Sequence, residues 1–151
     1  HSSQLGQCEN PLVDAFLFSR IREARQAGIP VEASVGLPRR LPIANVDLVI
    51  LFGNLMDNAV EACGQVASPF IRLEAGLRKD YLVVTETNPA PADDTRKKRR
   101  IPQLERGIGL HILTDLAGRY HGSCIQEVRD GQFTVSIALQ LPENQGETGE
   151  A

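Results

Sequence analysis

The chain has 151 residues, 42% apolar and 23% charged, which suits one domain with a real core and argues against wholesale disorder. A formal net charge of -3, 5% aromatics and no Trp exclude a general nucleic-acid binder and a base-stacking platform. Cys8, Cys63 and Cys124 form no CxxC pair and have no His at ligand spacing, so they read as separate, reduced thiols of a cytosolic domain. No run approaches the roughly 20 apolar residues of a membrane helix, and no basic-then-apolar leader opens the chain. The start at His1 rather than Met suggests a piece excised from a longer protein.

Residues 1–10 are polar and expected to be flexible. Leu12, Ala15, Phe16, Ile21 and Ala24 then recur on one helical face, predicting a helix from Pro11 to Ala27 that Gly28 stops. The alternation from Ile29 to Val35 predicts a strand, and 37–42 is a connection. A second helix is predicted over Asn45 to Gln65, capped by Asn45 or Asp47. Its apolar stripe is Leu48, Leu51, Leu55, Ala59, Ala62 and Val66; Asp47, Asn54, Asn58, Glu61 and Gln65 are expected on the other side. Phe70 to Ala75 and Tyr81 to Thr87 predict a hairpin turning over Gly76 to Asp80. The stretch from Asn88 to Arg106 is rich in Pro, Ala and charge, a length of loop that is usually functional. A helix from Ile108 to Tyr120 is opened by Gly107-Ile108-Gly109 and ended by His121-Gly122. Ser123 to Val128 and Phe133 to Leu141 form a final hairpin turning at Asp130-Gly131, and the acidic tail 142–151 is expected to be disordered. This order predicts an α+β fold, a two-layer sandwich with helices on one face of a mixed sheet.

Two segments carry chemistry. Asn54 and Asn58 stand one helical turn apart, so their amides point the same way, and two carbonyl oxygens there could ligate Mg²⁺ directly or through water. Alone, the same spacing describes an ordinary solvent-facing stripe. In Arg106-Gly107-Ile108-Gly109-Leu110, the glycines admit a ligand to the backbone, and the N–H groups of a helix start attract phosphate. Alone, this is also a tight turn; it follows no strand as a Rossmann fingerprint would and lacks a phosphate-loop Lys.

Taken together, the Asn-x-x-x-Asn-Ala helix, a hairpin, a long loop and GxGL opening a helix that ends in Tyr-His-Gly resemble the GHKL superfamily, the ATP-binding (Bergerat) fold of gyrase, its chaperone relatives and histidine kinases. The resemblance covers about Asn10 to Leu141, with Leu51 to Cys63 as the asparagine box and Arg106 to Leu110 as the second glycine box. Asn10 to Leu17, Arg20, Ala24, Gly28-Ile29 and the Asn-Ala-Val-Glu-Ala-Cys ending of the box resemble the peptide-pheromone, quorum-sensing receptor kinases.

The resemblance implies the catalytic domain of a two-component sensor histidine kinase, spanning 11–141 with an ATP lid at about 89–106. Its cofactors would be ATP and Mg²⁺, with Asn58 as the Mg²⁺ ligand. Asn54, Asn88, Arg106, Gly107, Ile108, Gly109 and Leu110 would complete the nucleotide site, and Asn54 and Asn58 the catalytic pair. Asn88 is the favoured adenine contact, with Glu86 or Thr87 as alternatives. Gyrase-like ATPases carry Glu at the Asn54 position; an amide cannot act as that base, which favours phosphoryl transfer over hydrolysis. The γ-phosphate would pass to a His on a separate dimerisation domain of the same receptor, and onward to a response regulator. The parent would be a membrane-anchored homodimer with this domain in the cytoplasm. Rival readings are a GHKL ATPase, an anti-sigma-type serine kinase, or a nucleotide module that has lost catalysis.

The sequence departs from the family pattern in three respects. Glu61 replaces the usual cation three residues after Asn58, and Thr85 to Pro91 lacks both glycines of the first glycine box. No phosphoacceptor is evident, since His111 and His121 read as structural or surface residues. Of the cations beside the glycines, Arg106 is the favoured phosphate neighbour, while Arg96 to Arg100 would belong to the lid or form a solvated run.

Overall fold

The computed structural model of the chain describes residues 8–64, 66–90 and 103–142, with the backbone alone for 103–110. Helix α1 (Pro11–Gln26) starts where the Asn10 side chain accepts from the N–H groups of Leu12 and Val13, with Pro11 at the first helical position. Val13, Leu17, Ile21 and Ala24, spaced by three and four residues, form its buried face. The segment just before α1 is not the loose leader that its polarity suggested. Cys8 is buried and bridges Leu37, Glu9 N–H donates to Leu37 O at 2.8 Å, and Asn10 is the buried cap. Residues 1–7 lie outside the described residues.

Strand β1 (Val31–Val35) begins two residues later than the alternation from Ile29 implied. Pro30 contributes only its carbonyl, which accepts from Ile71 N–H. Helix α2 (Asn45–Cys63) is capped by the backbone of Ala44, not by the side chain of Asn45 or Asp47. Both expected caps are engaged elsewhere. Asn45 Oδ1 accepts from Asn10 Nδ2 at 3.3 Å, and Asp47 Oδ2 accepts from the Tyr120 hydroxyl at 2.6 Å, with Arg119 at 3.5 Å from Oδ1. Burial and then the Asp47 hydrogen bond push the Tyr120 hydroxyl pKa up, so it stays protonated and donating.

Strands β2 (Ile71–Arg78) and β3 (Tyr81–Pro89) turn tightly at Lys79-Asp80; Gly76 to Arg78 belong to the strand, not to the longer turn expected there. Helix α3 (Gln103–Arg119) leads to β4 (Ser123–Arg129) and β5 (Gln132–Gln140). Asp130 and Gly131 both take positive φ, the geometry of a two-residue hairpin whose twist matches its strands. The sheet order is β1-β2-β3-β5-β4, with β1 and β2 parallel across α2 and every other pair antiparallel. The three helices cover one face, α2 between α1 and α3 and against β3. This is the mixed-sheet α+β sandwich that the element order implied.

Helix α3 starts at Gln103, not at the glycines. Gln103, Leu104, Glu105 and Arg106 are all good helix formers, and they extend the helix through Gly107 and Gly109. Its other end is a Schellman closure, in which Gly122 N–H donates to Ala117 O and His121 N–H to Gly118 O, with His121 at φ 56°. Gly122 is required by contact: a Cβ there would sit 1.7 Å from Ala138 O of β5. Gly122→Ala is expected to destabilise the fold by about 2–4 kcal/mol, because backbone must move. By contrast, His121→Gly relieves the left-handed penalty and stabilises by about 1 kcal/mol. Urea unfolding of the two variants should therefore shift in opposite directions.

Candidate functional site

Along β3, residues 82, 84, 86 and 88 face the helices, and residues 81, 83, 85 and 87 face the open side. Leu82 and Val84 fill the helix-side row, opposite Leu139 and Ile137 of β5. The row then turns polar while remaining buried: Glu86 is 0% exposed and Asn88 is 1% exposed, opposite Val135 and Phe133. Thr87 points the other way, its hydroxyl 3.4 Å from that of Thr134, just as Thr85 pairs with Ser136 at 3.1 Å. Of the three residues weighed for the adenine contact, Thr87 is thus on the wrong face.

Helix α2 brings its own polar groups to the packed side. Asn58 is 7% exposed and Asn54 is half-buried, whereas Glu61 is exposed. The expected polar stripe on the far side of the helix therefore does not exist as such. Asn58 lies seven residues from Leu51 and three from Leu55, nearly two turns and one turn, so it shares their buried side. Asp47 is buried for the same geometric reason and is tied to Tyr120.

The hydrogen bonding of these amides is incomplete. Asn54 Nδ2 donates to Ile50 O at 2.7 Å, which leaves Oδ1 as its remaining acceptor. Asn88 Nδ2 donates to Pro89 O at 2.9 Å, while its Oδ1 is buried with no hydrogen-bond partner among the described residues. Asn58 Nδ2 is buried and unpartnered in the same sense. Each such atom costs about 1–3 kcal/mol unless something else supplies its partner. An acceptor on Asn88 and a donor on Asn58, both on the helix side of the sheet, suit a polar ligand carrying an amine at one end and anionic oxygens at the other.

Beside them, the Cys63 Sγ lies 3.4 Å from Phe70 O, and burial, with the charge of Glu86 adding to it, raises the thiol pKa. Burial likewise raises Cys8 and Cys124, so all three cysteines are free, protonated and poor nucleophiles.

Arg106 to Leu110 lie inside α3, where the N–H groups of Gly107 and Gly109 fall within the helical ladder, not at a free start. Residues 91–102, most of the expected lid, lie outside the described residues; 103–106 form the first turn of α3. His111 is on the surface beside Asp115 at 3.6 Å, and His121 is exposed at the helix end, so both are the surface residues expected. Among the described residues no group of three or more His, Cys, Asp and Glu could hold a metal ion, and no helix is long and apolar enough to cross a membrane.

A family model described as the GHKL domain matches residues 43–140. Sensor histidine kinase NatK of Bacillus subtilis strain 168 is 30% identical over 87% of this chain and 45% of its own length. Sensor histidine kinase DcuS of Escherichia coli K12 is 28% identical over 93% of this chain and 27% of its own length. The chain thus spans less than half of each. Among solved structures, the catalytic domain of histidine kinase ThkA superposes with a TM-score of 0.69 at 17% identity, covering 87% of this chain and 91% of that one. Histidine kinase AdeS of Acinetobacter baumannii gives 0.64 at 12% identity, covering 89% and 64%. This chain belongs to the GHKL domain family, and its named relatives are sensor histidine kinases.

The orphaned donor on Asn58 yields a stability prediction. Asn58→Leu keeps the branching at the same atom and removes the unpaired amide but adds bulk, so without ligand the two effects offset and stability should change by no more than about 1 kcal/mol. A loss well beyond that in thermal melts would show that the amide serves the fold.

Proposed function

We propose that this chain is the ATP-binding catalytic domain of a two-component sensor histidine kinase, binding ATP with Mg²⁺ and presenting the γ-phosphate to a His on a separate dimerisation domain of the same receptor. The reading is carried by the buried, incompletely bonded amides of Asn58 and Asn88 on facing elements.

The roles follow from which atoms are left. Asn88 Oδ1 accepts from the exocyclic amine of adenine. Guanine would present a carbonyl oxygen there, two acceptors facing each other, so the site selects adenine. Asn58 would hold the metal through Oδ1 and offer Nδ2 to a phosphate oxygen, with Asn54 Oδ1 as a further oxygen donor one turn earlier. Mg²⁺ held there would supply charge neutralisation for the phosphates. An amide at Asn54 takes no proton from water, so hydrolysis lacks a base while transfer needs only positioning. Arg106 and the backbone of Gly107 to Leu110 are the proposed phosphate contacts, with the basic run 96–100 supplying further cations. Interior glycines each weaken a helix by about 1 kcal/mol, so the first turns of α3 are the part that can reorganise around phosphate.

The proposed partners are the acceptor domain and a response regulator, and the proposed parent is a membrane-anchored homodimer with this domain in the cytoplasm. A peptide-pheromone, quorum-sensing input rests on the α1 and asparagine-box sequence alone.

Calorimetry should show ATP binding that strengthens with Mg²⁺ and exceeds GTP binding, and Asn58→Leu should lose the Mg²⁺-dependent part. No binding at millimolar ATP would refute the reading. With radiolabelled ATP the chain alone should take up no stable label, yet slowly label a separate fragment carrying the acceptor His, because the tether is missing. Stable label on this chain alone would overturn the assignment of roles. A further prediction separates folding from binding at the glycines. Gly109→Ala should stabilise α3 by about 1 kcal/mol in urea unfolding and weaken ATP binding; equal or tighter binding would remove these residues from the phosphate site.

A further inference from the structure

At the opposite end of the sheet, where β3 begins, the 36–44 connection, the β2–β3 turn and the end of α3 surround an open groove of about 2020 Å³. Three cations stand on its rim: Arg39 and Arg40 from the connection and Lys79 from the turn. All are exposed, and none makes an ion pair among the described residues. A fourth lining cation, Arg119, is already held by Asp47. Against these, the lining contains one acid, Asp80. Pro38 and Pro42 flank the two arginines and fix their loop. Between the cations lie Leu12, 46% exposed, Leu77, 41% exposed, and the half-buried Leu41.

We propose that this groove docks an acidic, amphipathic segment of a partner protein, its carboxylates on Arg39, Arg40 and Lys79 and its apolar side chains on Leu12, Leu41 and Leu77. The volume exceeds the roughly 300–1,000 Å³ of a small-molecule site. The concavity suits a segment laid into it, whereas a flat lipid surface would meet only the rim. The chain's own tail 143–151 carries three Glu but no Leu, Ile, Val, Phe or Met, so its composition matches the charge of the rim and has nothing for the apolar floor. The groove also leaves the nucleotide end free: Tyr81 and Asn88 are seven residues apart along β3, roughly 23 Å in an extended strand. Partner and nucleotide can therefore be held together.

The test uses the whole chain and a fluorescent helical peptide with Glu on one face and Leu on the other, read by anisotropy. Binding should weaken with added salt and fall about tenfold or more in Arg39→Glu/Arg40→Glu/Lys79→Glu, with ATP binding unchanged. Lys79→Glu alone, on an exposed turn, should weaken binding about threefold, which keeps the test valid if the triple variant misfolds. Leu77→Gln should also weaken it. The proposal is overturned if the Glu/Leu peptide does not bind, or if a Lys/Leu or Glu/Gln peptide binds equally well. It also fails if phosphatidylglycerol vesicles bind the chain and the peptide does not. Removing residues 143–151 should leave peptide affinity unchanged; a tenfold rise would show that the tail already fills the groove and would refute a separate partner.

Discussion

The packing of α2 against β3 imposes two demands on one interface. It must exclude water to hold the sandwich together, and in the proposed role it must accept a polar ligand. The apolar part is satisfied by Leu51, Leu55, Met56 and Ala59 on the helix and by Leu82 and Val84 on the strand, all essentially inaccessible. The other part is Asn58 on the same helical side and Glu86 and Asn88 on the same strand row. A core built for stability alone would continue the leucines and valines. The interface instead ends in amides whose bonding is incomplete among the described residues, a cost of about 1–3 kcal/mol per atom that a ligand can recover. In the proposed role, bound nucleotide would then stabilise the fold by supplying partners to Asn58 Nδ2 and Asn88 Oδ1.

Periodicity explains what was legible in the sequence and what was not. The order of elements and the mixed sheet followed from runs of period two and period three-to-four, because each element has one buried face. The Asn-x-x-x-Asn spacing was visible, but assigning it to the far side of α2 treated polarity as exposure. Counting seven residues from Leu51 to Asn58 would have put the amide on the buried side, and counting by twos from Leu82 would have done the same for Glu86 and Asn88. Boundaries were harder, since they depend on groups distant in sequence. Asn45 and Asp47 look like caps, yet Asn10 and Tyr120 claim their side chains from 35 and 73 residues away. Glycine marked the start of α3 in the sequence, while helix-forming Gln103 to Arg106 carried the helix past it.

The same long-range bonds give the two ends of the molecule different character. Asp47 gathers Tyr120 and Arg119 from the end of α3, and the Schellman closure with Gly122 against Ala138 O ties that end to β5. This end of α3 is fixed by side chains and backbone together. The other end, at Gln103 to Gly109, has two glycines within its first two turns. A helix anchored at one end and weak at the other can change length at the weak end without disturbing the core packing of Leu113, Leu116 and Ala117.

That asymmetry bears on the proposed chemistry. Phosphoryl transfer needs phosphate contacts that form with the nucleotide and release the product, whereas adenine recognition needs a fixed acceptor. Asn88, on a central strand paired on both sides, is the fixed element. In the proposed reading the glycine-bearing turns of α3 would be the adjustable one. A carboxylate in place of Asn54 would add a base for water to this arrangement, and the amide withholds it. In the proposed reading the proton-accepting group would come with the phosphoacceptor, and the reaction would depend on a partner's geometry as much as on this domain's own.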